Sequence, residues 1–218
     1  MNDIITTKAM VLSGFDHLEY DKRLILLTLD LGKVTVFARG VRRQNSKFTG
    51  LTEPFAFGDF RLFPGRSAYS LSGVEISNYF EGIRQDMELM CYASYFADLA
   101  DHSYRENMDA QAGLQLLYRS LQALETDSID NRLIRAVYEL KMVKENGVYP
   151  GLPGRTVLPG TANAMDHIER AGIRDLFSFK VTEEVSEELC GIADEYRTRY
   201  IQGDFRSLEV MKEMGYGR

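Results

Sequence analysis

The hydrophobic period of this chain changes near residue 80, and that change limits its fold more than any other feature. Before it, apolar residues recur at every second position. Val34, Val36 and Ala38 alternate with Lys33, Thr35, Phe37 and Arg39, the pattern of a half-buried strand. Residues 24–29 form a second run leading into the Gly32-Lys33 turn. Phe60 and Leu62, then Tyr69 and Leu71, flank Pro64-Gly65-Arg66, a hairpin signature, and Val74 and Ile76 continue the last strand. About five short strands with no long helix between them predict a small closed barrel rather than a parallel sheet.

Beyond Tyr79 the spacing becomes helical. Ile83, Met87, Met90, Cys91 and Tyr95 share one face, as do Leu114, Leu117, Leu121 and Leu124. Leu133, Ala136, Val137, Leu140 and Val143 mark a third helix, which Gly147 stops. Between Gly147 and Gly160 lie three prolines and four glycines, read as a linker at 147–160. A short helix is expected after Thr161. A longer one carries Val185, Leu189, Ile192, Ala193, Tyr196 and Tyr200, with Thr182 as its N-cap. The fold class is thus α+β, with a strand domain over 1–80 and a helical bundle over 81–218.

The 218 residues suit one large or two small domains with an ordinary globular composition. No apolar run is long enough to span a bilayer, and the first residues lack a basic segment followed by an apolar one. A cytoplasmic protein is expected. Cys91 and Cys190 have no second Cys or His at ligand spacing, so both read as buried hydrophobes. The three histidines join no Ser or Cys nucleophile arrangement. Gly160-Thr161 lacks the lysine of a phosphate-binding loop. Asp98, Asp101 and His102 could gather at helical spacing, but a helix end facing water explains them better. Glu183, Glu184, Glu187 and Glu188 read as a solvated face. Neither a catalytic constellation nor a cofactor motif is visible.

Charge is unevenly distributed. The net charge is −6, yet residues 1–80 sum to +2 and the remainder to −8. Between Asp30 and Glu53 stand five bases and no acid. On a strand over 33–39, Lys33, Phe37 and Arg39 would project together, and Arg39-Gly40-Val41-Arg42-Arg43-Gln44-Asn45-Ser46-Lys47 would leave as a flexible basic loop. Cations flanking an aromatic on a sheet face suit phosphate contact and base stacking. A solvated strand with Phe37 packed beneath a neighbour is the other reading, and on composition both stay open.

The ordered series of segments resembles the bacterial RecO recombination mediators. It runs through Lys8-Ala9-Met10-Val11-Leu12, Glu19-Tyr20-Asp21-Lys22, Ala38-Arg39-Gly40-Val41-Arg42 and Ser46-Lys47-Phe48 to Leu51-Thr52-Glu53-Pro54-Phe55. It continues with Tyr92-Ala93-Ser94-Tyr95, Tyr138-Glu139-Leu140-Lys141, Asn146-Gly147-Val148-Tyr149-Pro150, Leu176-Phe177-Ser178-Phe179-Lys180 and Phe205-Arg206-Ser207-Leu208. The resemblance implies an N-terminal OB-fold barrel followed by a helical domain, and no enzymatic activity. It implies binding and annealing of single- and double-stranded DNA, action with RecR, and contact with the C-terminal tail of single-stranded DNA-binding protein, so that RecA is loaded and the protein associates with the nucleoid. The matching basic positions are Lys22, Lys33, Arg39, Arg42, Arg43 and Lys47, with Arg23 adjacent. Arg132, Arg135 and Lys141 lie on or near the helix implied to receive the tail. Many relatives carry a zinc-binding Cys cluster after the position of Tyr149-Pro150. Here no Cys follows Pro150 before Pro159, so the element reads as deleted and no metal is expected. The rival expectation is an interaction adaptor, docking RecR or the tail, whose barrel binds DNA weakly or not at all.

Overall fold

A computed structural model describes residues 3–48, 50–106 and 108–217. The alternating region forms five strands: β1 (Ile5–His17), β2 (Asp21–Thr28), β3 (Lys33–Ala38), β4 (Phe57–Pro64) and β5 (Tyr69–Asn78). They close into a barrel in the order β1-β2-β3-β5-β4. All neighbours are antiparallel except β3 and β5, which meet in a short parallel pair at Val36–Tyr69 and Phe37–Ser70. This is the five-stranded barrel expected from the turn spacing, and its order is that of an OB-fold.

Closure depends on β1, which is long enough to pair with β4 through its first half and β2 through its second. A bulge between Val11 and Ser13 bends it. There Val11 N–H donates to Ala56 O at 3.0 Å and Phe55 N–H to Val11 O at 2.8 Å, so the backbone groups released by the bulge are bonded again. Inward positions from every strand fill the barrel, among them Ala9, Val11, Leu24, Leu26, Val34, Val36, Phe60, Leu62 and Leu71.

By contact density the chain separates into two units. One holds the barrel up to Glu81 together with Ala100–Leu114; the other holds Gly82–Leu99 and everything from Gln115 onward. Residues 100–114 join the barrel's unit because they cover the start of β3. Glu106 bridges to Lys33 in parallel, Thr35 Oγ1 donates to Glu106 Oε1 at 2.7 Å, and Lys33 Nζ reaches Asp101 O and Oδ1 at 2.5 and 2.8 Å.

Among the described residues seven helices follow the barrel: α1 (Glu81–Gln85), α2 (Met87–Ser103), α3 (Gln111–Glu125), α4 (Asn131–Glu145), α5 (Pro159–Arg170), α6 (Glu183–Tyr200) and α7 (Arg206–Glu213). Among the described residues none is long and apolar enough to cross a membrane. In the second unit α4 is the central element, buried without interruption from Leu133 to Val143. Asp130 caps it, accepting from Arg132 N–H and Leu133 N–H, and Gly147 ends it at φ +74°. Tyr138 stacks on Phe96 at 4.4 Å and donates to Phe96 O at 2.8 Å.

Several local expectations need correction. α5 starts at Pro159 rather than after Thr161, because proline suits the first helical position. Thr182 is the N-cap of α6, but its hydroxyl makes no capping bond. The segment read as a linker is irregular from 147 to 158 and is fastened at three points: Tyr196 Oη donates to Gly151 O at 2.9 Å, Arg155 pairs with Glu195 at 2.7 Å, and Leu158 N–H donates to Glu188 at 2.9 Å. Part of the acidic face of α6 therefore holds that segment instead of facing water.

Gly32 closes the β2–β3 turn at φ +70°, with the Met108 carbonyl in the space that a β-carbon would occupy. Thr28 N–H and Oγ1 both donate to Gly32 O, at 2.9 and 2.8 Å. A methyl group there meets both a left-handed backbone and the Met108 carbonyl. Gly32→Ala is expected to lower the unfolding free energy by more than about 1 kcal/mol, read as a shifted denaturant midpoint with unchanged slope.

Candidate nucleic-acid interface

The strand register sets three side chains in a row across the outer barrel face. Phe15 on β1 lies opposite Arg23 on β2, which lies opposite Phe37 on β3. Phe15 is 50% exposed, Arg23 is exposed and Phe37 half-exposed. The Arg23 guanidinium stands 5.2 Å from the Phe15 ring centre, and His17 packs on Phe37 at 4.9 Å. The row follows from the pleat: the neighbours Leu24, Val36 and Ala38 point inward, so these residues must point out.

The loop after β3 lies beside the β1–β2 hairpin tip. Gly40 N–H donates to Asp21 Oδ1 at 2.7 Å, and Arg42 N–H donates to Tyr20 O at 3.0 Å. Further turns link Arg43 N–H to Gly40 O and Ser46 N–H to Arg43 O, so the expected flexible loop is a chain of bonded turns. The guanidinium of Arg43 covers the exposed Tyr20 ring at 5.4 Å, and Lys47 lies 4.9 Å from the Phe48 ring.

The basic residues fall into two groups. Lys22 is paired with Glu53 at 2.7 Å, Lys33 with Asp101 at 2.8 Å, and Arg42 with Asp16 at 3.1 Å. Lys33 leaves the barrel on the same side as Phe37, but its ammonium is already engaged. Among the described residues, no carboxylate lies within ion-pairing distance of Arg23, Arg39, Arg43 or Lys47, all four exposed. These four, with the Phe15–Arg23–Phe37 row, form a surface able to meet phosphates and stack on bases.

Sequence reasoning missed Phe15, Tyr20 and Leu18. Phe15 stands three residues before the turn at 18–20, and Tyr20 lies within that turn. The exposure of Phe15 could be read only from the register shift at the β1 bulge, which sends it outward. Leu18 stands at the hairpin tip with a left-handed backbone, φ +52°, a conformation costing a leucine about 1 kcal/mol.

The comparisons with known proteins bear on this geometry. Residues 1–80 match the family model described as Recombination protein O N terminal, and residues 84–153 match Recombination protein O C terminal. The chain belongs to the RecO family. Curated relatives of the chain carry the name DNA repair protein RecO. That of Clostridium novyi is 33% identical over 144 residues, 66% of this chain and 56% of the relative. That of Symbiobacterium thermophilum is 39% identical over 133 residues, 61% and 52% of the two. That of Acetivibrio thermocellus is 25% identical over 244 residues, 96% and 97%. The more similar alignments thus span a little over half of the relative, and the weaker one nearly all of it.

In the helical unit of this RecO-family chain, the three expected tail-binding bases have different fates. Arg135 is 2% exposed and buried among carboxylates, 3.3 Å from Asp194 and 3.8 Å from Glu139. Lys141 donates to Ala171 O at 3.0 Å and lies 3.5 Å from Glu169 O, and Lys144 joins it on Glu169 O, so these lysines cap the end of α5. Arg132 pairs with Glu183 at 2.6 Å but remains partly accessible. It lines an open cavity of about 590 Å³ shared with Arg135, Lys212, Glu187, Cys190 and Asp194. The buried core beside it is polar. Tyr95 Oη donates to Glu139 at 2.6 Å, and Arg197 Nε lies 3.7 Å from the same carboxylate. Burial raises the Glu139 carboxyl against the opposing pull of Arg135.

The remaining candidates have separate partners. Asp98 accepts from Ser207 Oγ at 2.5 Å, and Asp101 holds Lys33. Among the described residues no three His, Cys, Asp or Glu side chains converge as a metal site. Cys91 is buried and Cys190 half-buried, and both are free thiols. Burial raises both thiols, Cys190 to about 11.

Two outcomes follow. Glu139→Ala leaves Arg135 buried with one carboxylate fewer, and is expected to cost about 3–5 kcal/mol in urea unfolding. Burial, and then Lys144, hold the Lys141 ammonium below the usual lysine value of 10.5. The unfolded chain keeps that proton to higher pH than the folded one. The contribution of Lys141 therefore grows as pH rises through its folded pKa toward 10.5. Paired unfolding curves should show the stability of the wild type relative to Lys141→Met rising across that window; a flat difference contradicts the assignment.

Proposed function

We propose that this chain is a non-enzymatic DNA-binding protein of DNA repair, acting as a recombination mediator. It holds single-stranded DNA on the outer β1-β2-β3 face of the barrel. The observation that carries this reading is the Phe15–Arg23–Phe37 row beside Arg39, Arg43 and Lys47, four cations in all that no carboxylate among the described residues neutralises. Arg23, Arg39, Arg43 and Lys47 contact phosphates, and Phe37 stacks on a base. Lys22, Lys33 and Arg42 hold the platform in shape through their ion pairs. Charge neutralisation lowers the repulsion between two backbones. A face that grips phosphates without reading base edges leaves those edges free to pair, which is the physical basis of annealing. Family membership supports the finer steps: action with RecR, loading of RecA, and capture of the tail of single-stranded DNA-binding protein. For the tail carboxylate the accessible candidate is Arg132 at the mouth of its cavity, with Lys212 beside it.

A second reading, an interaction adaptor with weak DNA binding, draws on the pairing of Lys22, Lys33 and Arg42 with carboxylates and on the net charge of −6. A gel shift with an oligo-dT at low salt separates the two, since the adaptor gives no shift.

Salt titration then distinguishes the residues. Each phosphate contact to a single strand contributes about −0.7 to the slope of log K against log salt, so the Arg39→Ala/Arg43→Ala/Lys47→Ala triple variant should flatten it by about 2. Lys33→Ala should leave the slope unchanged. Phe37→Ala should weaken binding by about 1–3 kcal/mol at constant slope. An unaltered slope in the triple variant removes those three residues from the interface.

A further inference from the structure

Leu18 at the tip of the β1–β2 hairpin breaks two local rules at once. It is 76% exposed, and its backbone is left-handed at φ +52°, where glycine, asparagine or aspartate is the ordinary choice. The surrounding contacts hold the tip in this form. Glu19 O accepts from Arg42 Nη1 at 3.4 Å and Tyr20 O from Arg42 N–H at 3.0 Å, while the same guanidinium pairs with Asp16. Asp21, the first residue after the tip, is bonded to Gly40 N–H. One arginine thus ties together both sides of the hairpin, and the leucine side chain is presented outward from a fixed backbone.

The neighbours of Leu18 indicate what it meets. Tyr20 lies under the Arg43 guanidinium, and His17 rests on Phe37 within the aromatic and cationic face. Arg43 covers Tyr20 at the tip, and Arg39 precedes the Gly40 that Asp21 holds, so cations that no carboxylate among the described residues engages stand beside the apolar tip. An apolar side chain on a rigid support, bordered by phosphate-binding cations, is the arrangement with which proteins enter a base step and unstack it.

We infer that Leu18 is a wedge that enters between bases where a duplex opens into single strand, with Arg42 as the positioning residue that fixes its backbone. The inference rests on the reading that the barrel face binds DNA, and adds that it engages junctions by unstacking a base step. At such a site the wedge holds the terminal step open, and the flanking cations keep the separated backbone in place.

The test uses the full chain and a partial duplex with 2-aminopurine at the junction, whose emission rises when the base is unstacked. Binding to an oligo-dT is followed in parallel by anisotropy. Wild type is expected to raise the emission severalfold. Leu18→Asn, which suits the left-handed backbone and so should keep the fold, is expected to lose that rise while retaining oligo-dT binding. Leu18→Met, still an apolar wedge, should restore it. Arg42→Ala should reduce the rise, and Arg42→Lys should recover less of it than a guanidinium gives. Full emission with Leu18→Asn overturns the inference, as does wild-type binding of oligo-dT with no emission change. Absence of oligo-dT binding by wild type overturns instead the reading of the barrel on which it rests.

Discussion

The architecture of the first unit depends on one strand pairing on both sides. β1 bonds to β4 and then, past its bulge, to β2, leaving the barrel without a free edge. An open five-stranded sheet would expose two rows of backbone donors and acceptors. Closure removes those rows, and the bulge that permits it also shifts the register. That shift turns Phe15 outward and aligns it with Arg23 and Phe37. The candidate interface is thus a consequence of how the barrel closes.

The electrostatics of this face depend on local pairing more than on net charge. The chain as a whole is acidic, yet salt screens exposed charges beyond about 8–10 Å, so the net charge alone says little about the field at a phosphate on the barrel. What matters is which cations already have carboxylate partners. Lys22, Lys33 and Arg42 do, and their pairs brace turns and strand ends; among the described residues Arg23, Arg39, Arg43 and Lys47 have none. The sequence places all seven close together, and only the fold divides them into scaffold and available charge.

The second unit solves a different problem. α4 is buried on every side for eleven residues, although its sequence carries Arg135, Glu139 and Lys141 within them. A buried charge has to be paired or hydrogen-bonded. Glu139 therefore gathers Tyr95, Arg135 and Arg197, and Lys141 takes the carbonyls at the end of α5. Two of the three bases that resemblance placed at a tail-binding surface are thereby committed to the core. Arg132, near the start of the helix, is the partly exposed one of the three at the cavity that it lines with Arg135.

Much of the architecture was legible in the residues because period follows secondary structure. Alternation at 33–39, the Pro64-Gly65 turn and the stripes at 114–124, 133–143 and 185–200 became the elements they indicated, whereas the stripe from Ile83 to Tyr95, read as one helix, is broken at Asp86 into α1 and α2 and leaves Met87 exposed. Local chemistry settled Gly147 as the end of α4, since only a left-handed residue continues from there without strain. Other features could not be read along the chain. The β1 bulge, the left-handed Leu18 and the partners of each lysine and arginine depend on residues far apart in sequence, as Lys22 on Glu53 and Lys33 on Asp101 illustrate. Periodicity reports which face a residue occupies, because that is a property of neighbouring backbone angles. Whether a charge on that face is free is decided by what another segment brings within a few ångströms of it, and only tertiary structure supplies that.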